Sequence, residues 1–102
     1  MIRAIKINDP LLCDDGILRN NTYARMEDPI KLTVDDMNDF HVSSELKFYK
    51  SEADYARGDN RVFSTRVHAF IPVSVISEQN PYDCLYMSFI EGEYFQTEIL
   101  YN

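Results

Sequence analysis

The stretch from Phe40 to Phe70 limits the possible fold more than any other part of this 102-residue chain. Two segments within it alternate with a period of two, as half-buried strands do. One side of the first segment carries Phe40, Val42, Ser44, Leu46 and Phe48. One side of the second carries Phe63, Thr65, Val67 and Ala69. The alternation predicts a hairpin of two long strands.

The eight residues from Ser51 to Gly58 connect these two segments and carry the signals of a capped helical turn. The Ser51 hydroxyl can accept a hydrogen bond from the amide at Asp54, which is a variant of the capping box. Gly58 can take the left-handed conformation that ends a helical turn. The strand alternation, the Ser51 N-cap and the Gly58 terminator therefore all predict a strand–turn–strand unit.

Shorter patterns predict the rest of the fold. Strands are expected over residues 2–8, 22–27, 30–34 and 94–101, and Asp14-Asp15-Gly16 is a turn compatible with a two-residue hairpin loop. Pro72 either ends the second long strand or lies on an edge. Asn80-Pro81 predicts a helix start, with Asn80 as N-cap and Glu91-Gly92-Glu93 as the stop. The aromatic residues of 82–90 leave a strand there as the alternative.

Together these patterns predict one β-rich domain over residues 1–102. The expected architecture is mainly β, an antiparallel sandwich or barrel-like sheet of about six strands with one short helix and one capped helical turn. A hydrophobic fraction of 45% supports an ordinary core without disulfides or a structural metal. Cys13 and Cys84 are accordingly expected to be reduced core residues.

Charge restricts the classes of partner. The chain has 17 acidic and 10 basic residues and a net charge of −7, and its Lys and Arg residues are scattered. This balance disfavours binding to nucleic acid or to an anionic membrane surface. The start of the sequence lacks the apolar run of a signal peptide, and no segment is apolar enough to span a membrane. The expected site of folding is therefore a cytosol.

No constellation in the sequence predicts catalysis, a cofactor or a metal site. The cluster Asp35–Asp39 lacks the ligand spacing of a calcium loop and is interpreted as a solvated turn. His41 and His68 are expected near opposite ends of the two hairpin strands, which makes a shared metal site improbable. No glycine elbow, nucleophile–base pair or phosphate-binding loop is present, so a non-enzymatic protein is expected.

Tyrosine is the residue type that suggests a contact surface, because its ring is apolar and its hydroxyl is polar. Tyrosines recur on several predicted elements, and Tyr86 belongs to the helix. The candidate protein-contact residues are Tyr23, Tyr49, Tyr55, Tyr94 and Tyr101. The alternative for each one is amphipathic cover at the edge of the core.

Four short motifs resemble small proteins encoded in the structural modules of tailed bacteriophages and prophages. These motifs are Thr22–Met26, Leu46–Ala53, Arg57-Gly58 and Asn80-Pro81-Tyr82. The resemblance implies a virion component of the tail, baseplate or collar, assembled in the bacterial cytoplasm, that packs against other virion proteins and against its own copies. That family has no catalytic residues or cofactor to carry over, and its late helix is usually richer in Ala and Lys than residues 82–90.

Two rival functions remain open at this point. The net charge of −7 is compatible with a small acidic inhibitor that binds a nucleic-acid-binding enzyme by mimicking phosphate charge. Against this interpretation, the acidic residues are spread through turns instead of forming one run. The second rival is a housekeeping bacterial β-domain.

Overall fold

The computed structural model describes residues 1–34, 39–72, 74, 78–93 and 96–102. Its strands are β1 (Ile2–Ile7), β2 (Leu11–Leu12), β3 (Leu18–Arg19), β4 (Thr22–Met26), β5 (Lys31–Val34), β6 (Asp39–Tyr49), β7 (Phe63–Pro72) and β8 (Thr97–Tyr101). Its helices are α1 (Glu52–Ala56) and α2 (Pro81–Glu93). The predicted mainly β fold class is confirmed.

Six strands form one antiparallel sheet around the long strand β6. Strand β7 pairs along one edge of β6, from Asp39 opposite Pro72 to Phe48 opposite Phe63. On the other edge β5 pairs with residues 40–43 of β6 and β4 pairs with residues 46–49. Strand β1 then joins β4 to β8. Strands β4 and β5 therefore follow one another along the same edge, separated by the Asp28-Pro29 break.

The predicted hairpin and its capped turn are confirmed. The Ser51 side chain accepts a hydrogen bond from the backbone N–H of Asp54 at 3.1 Å, as an N-cap does. Gly58 has φ +83°, the left-handed value that glycine adopts at low cost. Pro72 is the last residue of β7, so the prediction that it ends the strand or lies on an edge is also confirmed.

Helix α2 packs across one face of the sheet, here called the inner face, and encloses the main core with it. Asn80 Oδ1 accepts hydrogen bonds from the amides of Tyr82 and Asp83, which confirms the helix and excludes the strand alternative. The helix continues through the expected stop and ends at Glu93. The largest fully buried side chains include Tyr86, Phe48, Ile5, Ile7, Leu46 and Ile71.

Two local expectations are wrong in detail. The turn at Asp14-Asp15-Gly16 is a three-residue loop, closed by a hydrogen bond from the Cys13 amide to the Ile17 carbonyl, and it joins a separate two-stranded sheet of β2 and β3. Strand β5 was expected to be half-buried, but all four of its residues are exposed. The reason is its position, because β6 is its strand partner and no described helix covers it.

The two cysteines have different environments. Cys13 is buried as expected, and Cys84 is half-buried at the start of α2; both thiols are free. Burial raises the pKa of the Cys84 thiol, and the neighbouring Asp83 carboxylate adds to the shift. Among the described residues no helix is both long and apolar enough to cross a membrane.

Candidate protein-contact site

The face of the sheet opposite α2, here called the outer face, carries a compact cluster of three tyrosines. Tyr23 and Tyr49 lie directly opposite each other on β4 and β6. Tyr55 extends from α1 across both of them, with ring centroids 5.6 Å from Tyr23 and 5.0 Å from Tyr49. The capped turn therefore places Tyr55 where it covers the two strand tyrosines. We call these three residues the tyrosine cluster.

Burial separates the members of this cluster. Tyr23 is 2% exposed and Tyr49 is 8% exposed, so these two rings are core residues of the outer face. Both were predicted as contact residues, but their rings are covered within the chain. Tyr55 is half-buried and presents the accessible part of the cluster. The contact prediction for this region therefore depends on Tyr55.

Charged side chains border Tyr55 on one side. The guanidinium carbon of Arg25 lies 4.5 Å from the centre of the Tyr55 ring, in cation–π geometry. Arg25 also pairs with Glu27 at 3.4 Å, and Glu27 accepts a hydrogen bond from the Tyr55 hydroxyl. The hydrogen bond to Glu27, together with partial burial, raises the pKa of Tyr55. The polar groups beside the Tyr55 ring therefore already pair with one another within the chain.

The remaining predicted contact residues are not part of this cluster. Tyr101 lies on the edge strand β8 and is 62% exposed, which is compatible with a contact role. Tyr94 lies outside the described residues. Tyr86, from the wider tyrosine set, is a core residue whose hydroxyl accepts the Met26 amide hydrogen at 2.7 Å. The structure thus brings together Tyr23, Tyr49 and Tyr55 and leaves Tyr101 separate.

Exposed apolar side chains also occur in the β2–β3 hairpin and in β5, besides single ones such as Phe70 on β7 and Met87 on α2. The β2–β3 hairpin exposes Leu12, Ile17 and Leu18. The β5 strand exposes Leu32 and Val34 at 48% and 61%, and both lie opposite inner-face residues of β6. Sequence reasoning missed these positions because their alternation resembles that of an ordinary buried strand. Only the strand order shows that β5 has no covering layer among the described residues.

The placement of the two histidines differs from the prediction. His41 lies opposite Phe70 and His68 lies opposite Ser43, so the two imidazoles are diagonal neighbours on the outer face. His41 Nε2 and His68 Nδ1 are 2.9 Å apart. The expectation that they sit near opposite ends of the hairpin is wrong.

A groove with a volume of about 400 Å³ lies between the two chain ends and α2. Its charged lining residues are Arg3, Arg25 and Glu27. Arg3 pairs with Glu52 at 2.5 Å, and Arg25 pairs with Glu27. The groove lining contains no serine, cysteine or histidine, so it offers no side chain of those types as a nucleophile or general base. Among the described residues there is also no group of three or more metal-ligating side chains.

Comparison with known proteins does not place this chain in a family. No family model, no curated protein and no solved structure matches it. The class that the fold itself defines is a mainly β domain with one helix-covered sheet face and one largely polar face.

Proposed function

We propose that this chain is a non-enzymatic structural subunit of a bacteriophage virion, in the tail, baseplate or collar, that acts by packing against neighbouring proteins and against its own copies. The virion setting rests on the resemblance of the four sequence motifs. The packing role rests on the exposed apolar side chains of β5. Other virion proteins and a second copy of the chain are the proposed partners.

The exposure of Leu32 and Val34 is the observation that carries the packing role. Within the described part of the chain β5 is the last strand on its side of the sheet, so one edge of its backbone has no strand partner there. A strand that exposes both apolar side chains and an unpaired edge is poorly suited to face water. Addition of a neighbouring strand, or of an apolar surface, would satisfy both features at once. Tyr55 and Tyr101 are further exposed or half-exposed aromatic side chains of the kind that protein interfaces favour.

The acidic-inhibitor alternative has weaker support. A charge mimic needs carboxylates that are free to replace phosphates. Several acidic side chains here, some exposed and some half-buried, already pair with a cation of the same chain, namely Asp15, Asp28, Glu52, Asp54 and Asp59. The same Arg57 guanidinium contacts two of them.

Light scattering of the purified chain at low and high salt tests the packing role. We expect a defined oligomer that survives high salt, because apolar contacts are not screened by ions. Leu32→Lys should dissociate it by placing a charge in the apolar contact. Thr33→Lys is the matched control, since it adds the same charge to the same strand on the other face and should leave the oligomer intact.

The protein composition of purified phage particles tests the virion assignment directly. Phage particles purified from the source bacterium should contain this chain in a fixed ratio to the other structural proteins, as measured by quantitative peptide mass spectrometry. Its absence from intact particles would refute the virion assignment. A monomer at both salt concentrations, unaffected by Leu32→Lys, would refute self-association.

A further inference from the structure

We propose that His41 and His68 form a bidentate binding site for a divalent late transition metal ion, with Cu²⁺ bound more tightly than Ni²⁺ or Zn²⁺. This site is independent of the proposed packing role. It lies on the outer face, where β6 and β7 pair, and both of its ligands are imidazole nitrogens, which these metals favour.

The geometry of the two rings supports chelation. His41 Nε2 and His68 Nδ1 are 2.9 Å apart and share a hydrogen bond, with one nitrogen donating and the other accepting according to tautomer. The ring planes differ by 11° and the centroids are 5.0 Å apart. That centroid separation is close to the nitrogen separation plus the two ring radii. The rings therefore meet edge to edge, with their nitrogens turned toward each other.

The nitrogen separation suits one metal ion bound to both rings. Imidazole nitrogens bind such metals at about 2.0–2.1 Å. Two ligands at right angles are then about 2.9 Å apart, which is the cis arrangement of the square-planar geometry that Cu²⁺ and Ni²⁺ adopt. Metal binding would replace the hydrogen bond between the rings: the donating imidazole takes its other tautomer, so its proton lies on the ring nitrogen turned away from the ion and no proton is lost. It requires the two rings to tilt toward the ion but does not require the strands to separate.

The surroundings hold the two ligands in place and leave the site open. The Phe70 ring packs 5.1 Å from the His41 ring, and the Ser88 hydroxyl donates to the His68 carbonyl at 2.9 Å. His68 is exposed and His41 is half-exposed, so an ion can reach both from solvent. Water can fill the remaining coordination positions.

One cation is held nearby without occupying the site. The Arg66 guanidinium donates to Ser43 Oγ at 3.1 Å and lies opposite Glu45 across the β6–β7 pair. Glu45 and Arg66 carry opposite charges, so the two residues together add no net charge beside the site. The net charge of −7 also attracts a divalent cation more strongly than an uncharged protein of the same shape would.

No other histidine can contribute to metal binding, because the chain has 2 histidines and both belong to this pair. Calorimetric titration with CuCl₂ and with NiCl₂ at neutral pH should give one tight site per chain. Electron paramagnetic resonance of the copper form should report two nitrogen ligands. His41→Gln and His68→Gln should each weaken Cu²⁺ binding by roughly a hundredfold, the scale of an effective-concentration advantage.

A relocated histidine provides the matched control. The double substitution of His68→Gln with Ser64→His keeps two imidazoles on the same face but moves one four residues along β7. Chelation predicts that this variant binds no more tightly than His68→Gln alone. Circular dichroism and thermal unfolding confirm that each variant keeps its fold.

Three results would overturn the proposal. In the first, the relocated variant binds Cu²⁺ as tightly as the wild-type chain, which indicates independent single-histidine binding. In the second, only one of the two single substitutions weakens binding. In the third, the variant lacking both histidines retains wild-type affinity, which would place the metal at the amino terminus or at Cys84.

Discussion

The hydroxyl of Tyr86 joins helix α2 to two strands of the sheet, and its removal is a sharp test of the packing described above. It accepts the backbone N–H of Met26 at 2.7 Å and donates to the Arg3 carbonyl at 3.4 Å. The ring is 2% exposed. Tyr86→Phe keeps the ring and removes only these two hydrogen bonds.

The expected loss of stability in Tyr86→Phe comes from the Met26 backbone N–H, which loses its acceptor. The Met26 amide would be buried without its Tyr86 partner, which costs about 1–3 kcal/mol of unfolding free energy. For a domain of this size, each kcal/mol corresponds to a fall of roughly 4–8 °C in Tm. Urea unfolding followed by circular dichroism measures the change, and the m-value should stay constant.

Tyr82→Phe is the matched control on the same helix. The Tyr82 hydroxyl donates to the Asp28 carbonyl at 3.0 Å, and the Ser44 hydroxyl also donates to that carbonyl, at 3.2 Å. Removing the Tyr82 hydroxyl therefore leaves no orphaned group, and the loss should be under about 1 kcal/mol. If Tyr86→Phe costs no more than Tyr82→Phe, the reasoning from the orphaned Met26 amide is refuted.

Alkaline pH gives a second readout for the same residue. Burial raises the pKa of Tyr86 to about 12, above its ordinary value of 10.0. Between these values the unfolded chain loses the phenolic proton while the folded chain keeps it, so stability falls as the pH rises. The full effect is at most about 3 kcal/mol. Tyr86→Phe should remove this contribution and flatten the alkaline loss, measured as urea midpoints across that pH range.

Four further substitutions test the backbone and the core, each measured by urea unfolding. Gly58→Ala should lower the unfolding free energy by about 1–2 kcal/mol, because φ +83° is unfavourable for alanine. Gly92→Ala should raise it by about 0.5–1 kcal/mol, because Gly92 lies inside α2 and an added Cβ would meet nothing within 4 Å. A change of the same sign for both substitutions would contradict this reasoning. Ser51→Ala should cost about 1 kcal/mol through loss of the N-cap, and an unchanged midpoint would show that the cap contributes nothing. Phe48→Ala should cost about 3–5 kcal/mol by opening a core cavity, so a loss under 1 kcal/mol would place Phe48 outside the core.

Local signals in the sequence were sufficient for the central hairpin. The period of two placed Val42, Leu46 and Phe48 on one side, and all three are fully buried. Ser51 and Gly58 identified the turn because caps and left-handed glycines act within a few residues. Asn80 identified the start of α2 for the same reason. In each case the information that determines the element lies within the element.

Longer-range features needed the strand order. Alternation in residues 30–34 predicted a buried side for β5, but burial depends on which layer covers a strand, and no local signal encodes that. Tyr23 and Tyr49 were predicted as contact residues, yet Tyr55 arrives from another element and covers them. The sequence placed the histidines apart because the register of a hairpin depends on which residues pair beyond its turn, and no local signal encodes that.

By itself the sequence determined the mainly β class, the long hairpin, the capped turn and the helix start, because each depends on periodicity or on hydrogen bonds between near neighbours. The tertiary structure alone decided which side chains remain exposed on β5, how the tyrosine cluster is stacked, and that His41 and His68 meet. Those features join residues from different strands and helices. Their geometry follows from sheet order and register, which are set by the free energy of the whole packed domain.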